Sequence, residues 1–583
     1  MDNNRFIGFT LIMLLILTYY TFFPPGQIQD SENISEVNNQ EQKEEITENI
    51  KFDDKRNTIN EEFLGKGIEQ VVSLENDLLK VDFNTKGAKI TNVTLSEYYD
   101  FENNKVKLHN SSSNINLKIL SANNLNLDDI IFDKIQSRST EKNKVTFSAL
   151  SKDGRKITIE YELEEDSYII ESKILLNDYF LDNENILFTW VNNVIHQESN
   201  TTNEKNQTRI NFFNNDGDFD YTSATSTGTE EIKVEDKLKW ISNKQQFFSS
   251  AILSLNSFSN SNLKSEYIED EVINKRFTIQ TEIPIENNSV SYKYYFGPNK
   301  YSILKDIENE FHNNLYLGWI GVGGFNRYII VPIFNFLENI TSNYGLIILF
   351  MVFLIRIVVT PLTYKSHLSM AKMKTLNPEI QSIRNKHEGD MQKSQAEIME
   401  LYTKTGVSPL GGCLPILFQL PILVSVFYFL PNAIELRGKS FLWASDLSNY
   451  DSILSLPFDI PFYGDHVSLF TILMTVSTIL INKANSQMQT MEGPMKTFQY
   501  ILPIMFLFIF NNFSSGLTYY YFLSNVASYA QIFVFKKFVD EEKIKKEIEF
   551  NRKQNVNSKK SSFQLRIEEA MKARQNTNKK KNK

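Results

Sequence analysis

Hydrophobic residues fall in two arrangements along this chain: unbroken runs, and strict alternation with polar residues. A membrane-crossing helix needs about 20 mostly apolar residues. Phe6 to Phe23 is such a run at the short end, and Pro24-Pro25 stops it. No A-x-A cleavage pattern follows, so it is read as an uncleaved signal anchor. Five more runs come close together near the other end: Tyr344 to Thr363, Cys413 to Leu430, Val467 to Ile481, Phe498 to Phe513 and Leu517 to Phe535. Pro503 and Asn511-Asn512 interrupt the last two. Six spans are therefore expected.

Between the first run and the rest, the pattern alternates. Val145, Phe147 and Ala149 lead through Asp153-Gly154 to Ile157, Ile159, Tyr161 and Leu163. Glu165-Asp166 then turns the chain into Tyr168, Ile170, Ser172 and Ile174. This predicts a meander of antiparallel strands, each with one buried face. Phe277, Ile279 and Thr281, and Val290, Tyr292 and Tyr294, repeat it. A large sandwich is expected. Residues 27–60 are polar and acidic and predict a disordered tether. Phe325 to Ile340 is too short to span; it suits an amphipathic helix lying on a membrane surface, or a buried helix of the sandwich.

Charge adds a direction. The loop 364–410 carries seven Lys/Arg, whereas 432–466 has only Arg437 and Lys439 against five acids. The last 48 residues hold sixteen Lys/Arg and seven acids, within a chain of net charge -9. Basic short loops stay on the cytoplasmic side. Both ends are then cytoplasmic and the alternating region lies outside. The single cysteine, Cys413, rules out an intrachain disulfide and reads as a small apolar helix residue. The six histidines are scattered, with no HExxH or CxxC, so no metal site is expected. His109 and His196 have no triad or paired-carboxylate setting and are read as surface or packing residues, not catalytic ones.

One residue stands against the apolar pattern. Arg356 sits within the run ending at Thr363, about 7 Å of helix before Pro361, taken as the cytoplasmic end of the span. A charge at a span's centre costs about 2.5–3.5 kcal/mol on insertion scales. Two readings stand: the guanidinium snorkels to the headgroups, or it lines a water-filled cavity. Polar residues on other runs favour the cavity: Gln419; Thr471, Thr475, Ser477 and Thr478; and Tyr519, Tyr520, Tyr521, Ser524, Asn525, Ser528 and Gln531. No acid lies deep in these runs to pair with Arg356.

On the basic side, Met373, Leu376, Ile380 and Ile383, then Ile398, Leu401 and Tyr402, fall at helical spacing around Glu388-Gly389-Asp390. This predicts a helical hairpin whose apolar stripes pack together or offer a docking surface. Three readings fit the tail clusters Lys559-Lys560 and Lys579-Lys580-Lys581: anionic lipid, ribosomal RNA, or topology anchoring.

Several of these segments also resemble a known family. They are Arg356-x4-Pro361-Leu362-Thr363, Ser369 to Met373, Leu376-x-Pro378, Ser408 to Pro415, Gln419-x-Pro421-Ile422, Phe441-Leu442-Trp443-x-x-Asp446-Leu447, and Ser515-Gly516-Leu517 through Tyr520-Tyr521-x-x-Ser524-Asn525. Together they resemble the YidC/Oxa1/Alb3 family of membrane insertases. Gly87 to Ile90 with Leu95 and Tyr98, and Tyr295-Phe296-Gly297-Pro298, resemble the periplasmic domain of its Gram-negative branch. Ser408 stands where many members have Asn.

The resemblance implies a multidomain fold: a periplasmic β-supersandwich and an α-helical transmembrane bundle with six spans, five forming the insertase core. The boundaries expected are 1–26 anchor span, 27–60 linker, 61–318 supersandwich, 319–342 interfacial helix, 343–536 core with cytoplasmic hairpin 364–410, and 537–583 basic tail. It implies an inner-membrane insertase and chaperone, alone or beside the Sec translocon, with no cofactor and no catalytic residue. Its hydrophilic groove would use Arg356, Gln419, Thr471, Thr475, Tyr520, Tyr521, Ser524 and Asn525. Implied partners are nascent membrane proteins, anionic lipid and, through hairpin and tail, ribosome and signal recognition particle receptor; a monomer suffices. Two other classes remain open: a small-solute transporter or channel, and an anchored carbohydrate-binding, mutarotase-like protein.

Overall fold

A computed structural model describes residues 68–120, 124–135, 143–152, 154–177, 185–387, 390–408, 414–486 and 494–554. The anchor run, the acidic tether, Cys413 and the basic clusters of the tail lie outside the described residues. The chain divides into two compact units, Met1–Leu315 and Tyr316–Lys583.

The first unit is built of antiparallel strands. β1 (Val71–Glu75), β2 (Leu79–Asn84), β3 (Lys89–Tyr99) and β4 (Lys105–His109) form one four-stranded sheet in sequence order. The larger sheet system contains β5 (Asn114–Leu120), β6 (Lys144–Leu150), β7 (Lys156–Leu163), β8 (Ile169–Leu176), β9 (Asn185–Ile195), β10 (Arg209–Asn214), β11 (Leu238–Lys244), β12 (Phe248–Tyr267), β13 (Ile273–Pro284) and β14 (Ser289–Pro298). Its main path runs β5-β9-β13-β12-β14-β8-β7-β6.

The alternating pattern sets the register. Val145 pairs with Tyr161 and Phe147 with Ile159, and Ile159 with Ile174, so each apolar set lands on one face. β12 explains how one path becomes two layers. Its first half pairs with β11 and β14, its second half with β13, and positive φ angles at Ser257 and Asn260 mark the bend between them. Aromatic rings then fill the space between layers. Phe188 and Trp190 of β9 meet Tyr292 and Tyr294 of β14 at 5.8 and 6.1 Å, and Phe83 of β2 meets Tyr161 at 4.6 Å. His109 and His196 are both buried: Trp190 Nε1 donates to His109 Nδ1 at 3.3 Å, and His196 Nδ1 lies 2.7 Å from Glu204. Short helices α1 (Thr201–Gln207) and α2 (Tyr301–Lys305) edge the unit.

The second unit is helical. α3 (Ile320–Phe325), a π-turn at Asn326–Ile330 and α4 (Val331–Glu338) come first. Val331, Phe334 and Leu337 are buried, while Tyr328, Phe336 and Ile340 are exposed. Then follow α5 (Tyr344–Lys386), α6 (Met391–Thr405), α7 (Leu414–Phe429), a strand pair β15 (Leu454–Ile460) and β16 (Gly464–Val467), α8 (Leu469–Ser486), α9 (Pro494–Phe510), α10 (Ser515–Phe538) and α11 (Glu541–Gln554). Among the described residues one helix, α5, is long and apolar enough to cross a membrane. Gln419–Asn432, Leu469–Asn485 and Tyr500–Phe510 are shorter apolar helices.

Pro361, read as the cytoplasmic end of a span, does not end the helix: α5 continues through both Pro361 and Pro378 to Lys386. A proline inside a helix removes one backbone bond and clashes with the preceding turn, at about 3 kcal/mol. Here Thr360 and Thr363 lie on either side of Pro361, donating to the carbonyls of Arg356 and Val359. Strong packing carries the rest: α5 contacts α10, α7, α6 and α11. Its 43 residues reach about 65 Å, twice a bilayer's hydrocarbon thickness, so the charged second half stands clear of any bilayer that the first half crosses.

The expected basic tail begins with an ordered element. Ile544 and Ile548 of α11 join Leu376, Ile380, Ile398 and Val407 in one apolar cluster across α5, α6 and α11. Ion pairs rim it: Lys372 to Glu547 at 2.6 Å and Arg552 to Glu379 at 2.8 Å. Gly406, with φ +68, ends α6 where a Cβ would press on Asn551.

Candidate functional site

Arg356 lies midway along the apolar half of α5 and is only 8 % exposed. Its Nη2 donates to the Ser524 carbonyl at 2.8 Å and to Ser524 Oγ at 2.5 Å; its Nη1 donates to Gln419 Oε1 at 3.4 Å. All three acceptors are neutral. A guanidinium has five N–H donors, so this pairing leaves donor capacity unused. Arg356 and Gln419 share a narrow recess with Tyr520, Ser524 and the apolar side chains of Ile355, Val359, Ile422 and Leu423. The open space is about 10 Å³, the size of one water molecule.

The eight residues expected to form a groove do not fall together. Tyr520 and Ser524 stand four apart on α10 and share one face, toward Arg356. Tyr521 and Asn525, one position on, point about 100° away. Asn525 Nδ2 donates to Thr478 Oγ1 at 2.8 Å and Ser477 Oγ at 3.1 Å, on α8. Tyr521 rests against Phe510 of α9, ring centroids 5.7 Å apart. Thr471 donates to the Phe510 carbonyl at 3.1 Å, and Thr475 to the Thr471 carbonyl at 2.9 Å. Both threonines are buried with their hydroxyls satisfied. The structure thus gathers Arg356, Gln419, Tyr520 and Ser524 at one recess and places Thr471, Thr475, Tyr521 and Asn525 where α8, α9 and α10 meet.

Other residues hold this arrangement. The motifs around Asp446-Leu447 and Ser515-Gly516 turn out to touch. Gly516 N donates to the Leu447 carbonyl at 2.9 Å and Ser515 Oγ to the Asp446 carbonyl at 2.9 Å, fixing the start of α10. Asp451, nearly fully buried, accepts from Ser468 Oγ, from the backbone N–H of Leu469 and Phe470, and from Trp443 Nε1. It caps α8 with a negative charge at the positive end of the helix dipole. Asn511 Nδ2 donates to the carbonyls of Tyr463 and His466, and its Oδ1 accepts from Ser468 N. It reads in sequence as an interruption and acts as a tie. Gln531 Nε2 reaches Thr360 Oγ1 at 2.8 Å, bracing α10 against α5 one turn beyond Arg356.

The outward surfaces of these helices are apolar. Phe353, Ile357 and Val358 of α5, Leu420 of α7, Val476 of α8 and Phe533 of α10 are all exposed. A bare apolar surface of this extent is unstable in water and suits contact with lipid.

Comparison with known proteins covers nearly the whole chain. Residues 336–543 match the family model described as 60Kd inner membrane protein, and residues 71–335 match the YidC periplasmic domain. The membrane protein insertase YidC of Amoebophilus asiaticus is 36 % identical over 98 % of this chain and 99 % of its own length. The chain belongs to the YidC family of membrane protein insertases. The insertase of Parabacteroides distasonis is 33 % identical over 99 % of this chain and 98 % of its own. A solved structure of an active YidC insertase with its first transmembrane domain resolved is 16 % identical. It covers 80 % of this chain and 93 % of its own, with a TM-score of 0.31. Membership places the chain in the inner membrane, with a periplasmic β-sandwich domain and a YidC-type membrane region. The solute transporter or channel finds no support, since full-length relatives carry the insertase name.

Proposed function

We propose that this insertase passes apolar segments of nascent membrane proteins into the inner membrane through the Arg356 recess, without enzymatic chemistry or a cofactor. The observation that carries this reading is a buried guanidinium held, among the described residues, only by neutral acceptors. A cation in a low-dielectric setting strongly favours any acidic or polar group that reaches it. A client's polar flank displaces Gln419, the most distant of Arg356's three contacts, and exchanges it for its own carbonyls or carboxylates. Tyr520 and Ser524 supply further hydrogen bonds. The apolar segment then leaves sideways along the exposed faces of α5, α7 and α10, driven by burial of its surface.

In this proposal Phe6 to Phe23, α7 to α10 and the first half of α5 cross the membrane six times. Both termini are cytoplasmic and residues 24–342 are periplasmic, with the boundaries of the sequence reading: 61–318 sandwich, 319–342 interfacial helix, 343–536 core. The second half of α5 with α6 forms the cytoplasmic hairpin within 364–410, beside the basic residues 537–583. Those parts would meet ribosome, signal recognition particle receptor and anionic lipid, and the core would work alone or with the Sec translocon as a monomer. Thr471, Thr475, Tyr521 and Asn525 support the recess by holding α8 and α9 against α10.

The test is depletion of a host's own insertase and complementation with this chain, scoring insertion of small membrane proteins. Arg356→Ala, Arg356→Lys and a combined Arg356→Ala/Tyr520→Phe/Ser524→Ala variant are expected to insert progressively less. Normal insertion by all three, at wild-type protein levels, sinks the recess mechanism.

A further inference from the structure

The sandwich unit carries a cavity whose lining shares no residue with the Arg356 recess. It is a cleft of about 600 Å³, within the size range of small-ligand sites. Tyr98, Tyr168 and Tyr295 wall it, with Leu255 and Ile303 beside them. Six carboxylates, Glu97, Glu164, Asp166, Glu171, Asp306 and Glu308, face two lysines, Lys293 and Lys300, so the lining carries a formal charge of -4.

The walls are built rather than incidental. Tyr295 is fully buried and its hydroxyl donates to the Pro298 carbonyl at 2.6 Å, which fixes the ring. Tyr168 meets it edge-on with centroids 6.3 Å apart. Gly297 makes that pairing fit, because a Cβ there would stand 2.8 Å from both tyrosines. Lys293 already bonds Glu171 at 2.9 Å and lies 3.8 Å from Glu308. Burial works to lower its pKa, yet Glu171, Glu308 and Glu164 hold it above the ordinary lysine value. The cleft keeps its negative excess after both lysines are counted.

The spread of these carboxylates decides the ligand class. Among the described residues no three acids or histidines converge as a metal ion requires. Carboxylates around the wall and the partly exposed ring of Tyr98, backed by the buried Tyr168 and Tyr295, suit an elongated organic cation, whose methylenes lie on Tyr98 and whose charges reach the rim.

We propose that this cleft binds flexible alkyl-ammonium or guanidinium groups, presented by a polyamine or by a lysine- or arginine-bearing stretch of polypeptide. Isothermal titration of the full chain in detergent micelles, with spermidine and separately with a Lys-Gly-Lys-Gly-Lys amide, tests this. At low salt at least one probe is expected to bind, and the one that does identifies the source. Glu164→Gln/Glu308→Gln should weaken binding roughly tenfold, as two solvent-screened charge contacts allow. Lys293→Gln, which frees Glu171, should strengthen it, and acetylating the peptide's lysines should abolish it. Thermal unfolding checks that each variant is folded. No binding by either probe, equal binding by the acetylated peptide, or unchanged affinity in a folded Glu164→Gln/Glu308→Gln protein overturns the proposal.

Discussion

His109 offers a direct measurement of how the sandwich core is held. Its ring is fully buried, accepts from Trp190 Nε1, and sits 6.0 Å from the Trp190 ring. Burial disfavours the charged form and pushes the pKa down to about 3, with the nearby Lys89 acting in the same direction. In the unfolded chain the ring titrates near 6.5. Between those values the unfolded state binds a proton that the folded state does not, so acid draws the equilibrium toward unfolding. The stabilisation is complete above pH 6.5 and is lost progressively as pH falls toward 3. At pH 4.5, two units below the unfolded pKa, the loss is about 2.7 kcal/mol at 1.36 kcal/mol per unit. His109→Gln keeps an acceptor for Trp190 and cannot titrate. Denaturant unfolding of the full chain in detergent, at pH 7.0 and 4.5, is followed for both proteins through strand circular dichroism and tryptophan fluorescence. The variant starts less stable at pH 7 but should lose about 2–3 kcal/mol less on acidification, after the shared carboxylate contribution cancels. Equal losses in the two proteins refute the buried, neutral histidine.

Three further perturbations test the helical unit. Gly516→Ala places a Cβ 2.9 Å from the Leu447 carbonyl oxygen, which is backbone and cannot yield cheaply; a loss of about 1–3 kcal/mol, read as a lowered Tm in detergent, is expected. Asp451→Ala removes the α8 cap and leaves Trp443 Nε1 without its acceptor; it should cost roughly 2–4 kcal/mol and shift Trp443 fluorescence. Ile544→Asp puts a carboxylate into the apolar cluster shared with α5 and α6; hydrogen exchange at residues 376–380 and 398–407 is expected to accelerate at least tenfold as α11 detaches, and unchanged exchange would show that α11 does not hold the cluster closed.

Legibility followed the physics that each feature depends on. Strands β6, β7 and β8 were readable because one buried face imposes period two, and Gly154 and Glu165-Asp166 mark the reversals. The switch within β12 was not. Its residues from Ser254 to Asn262 are mostly Ser and Asn, with no periodicity, and the bend arises from pairing with partners far along the chain. The continuation of α5 past Pro361 was hidden for a similar reason. Proline's local cost is visible in sequence, whereas the α10, α7, α6 and α11 contacts that outweigh it are not. α11 was obscured by composition, since its fourteen residues carry many charges and only Ile544 and Ile548 reveal an apolar face. Asp451 gave no signal and Asn511 showed only as an interruption, because a cap or tie is recognised only when the backbone it bonds is in place.

At the recess the same limit appears in finer form. Sequence placed polar residues on several helices and treated them as one set. On α10 the set separates by helical phase: Tyr520 and Ser524 point to Arg356, Tyr521 and Asn525 toward α8 and α9. That division changes what Arg356 is. A snorkelling arginine would extend along its helix toward headgroups and stay exposed. This one turns inward, bonds a carbonyl of a neighbouring helix, and is 8 % exposed. Nor is it a plain structural bolt. A bolt in low dielectric gains most from a carboxylate, and among the described residues Arg356 bonds none. In the proposed mechanism an incoming polar chain exchanges with these neutral acceptors, and the effect of Arg356→Lys then rests on geometry. Lysine keeps the charge but loses the fork that spans Gln419 and Ser524 together.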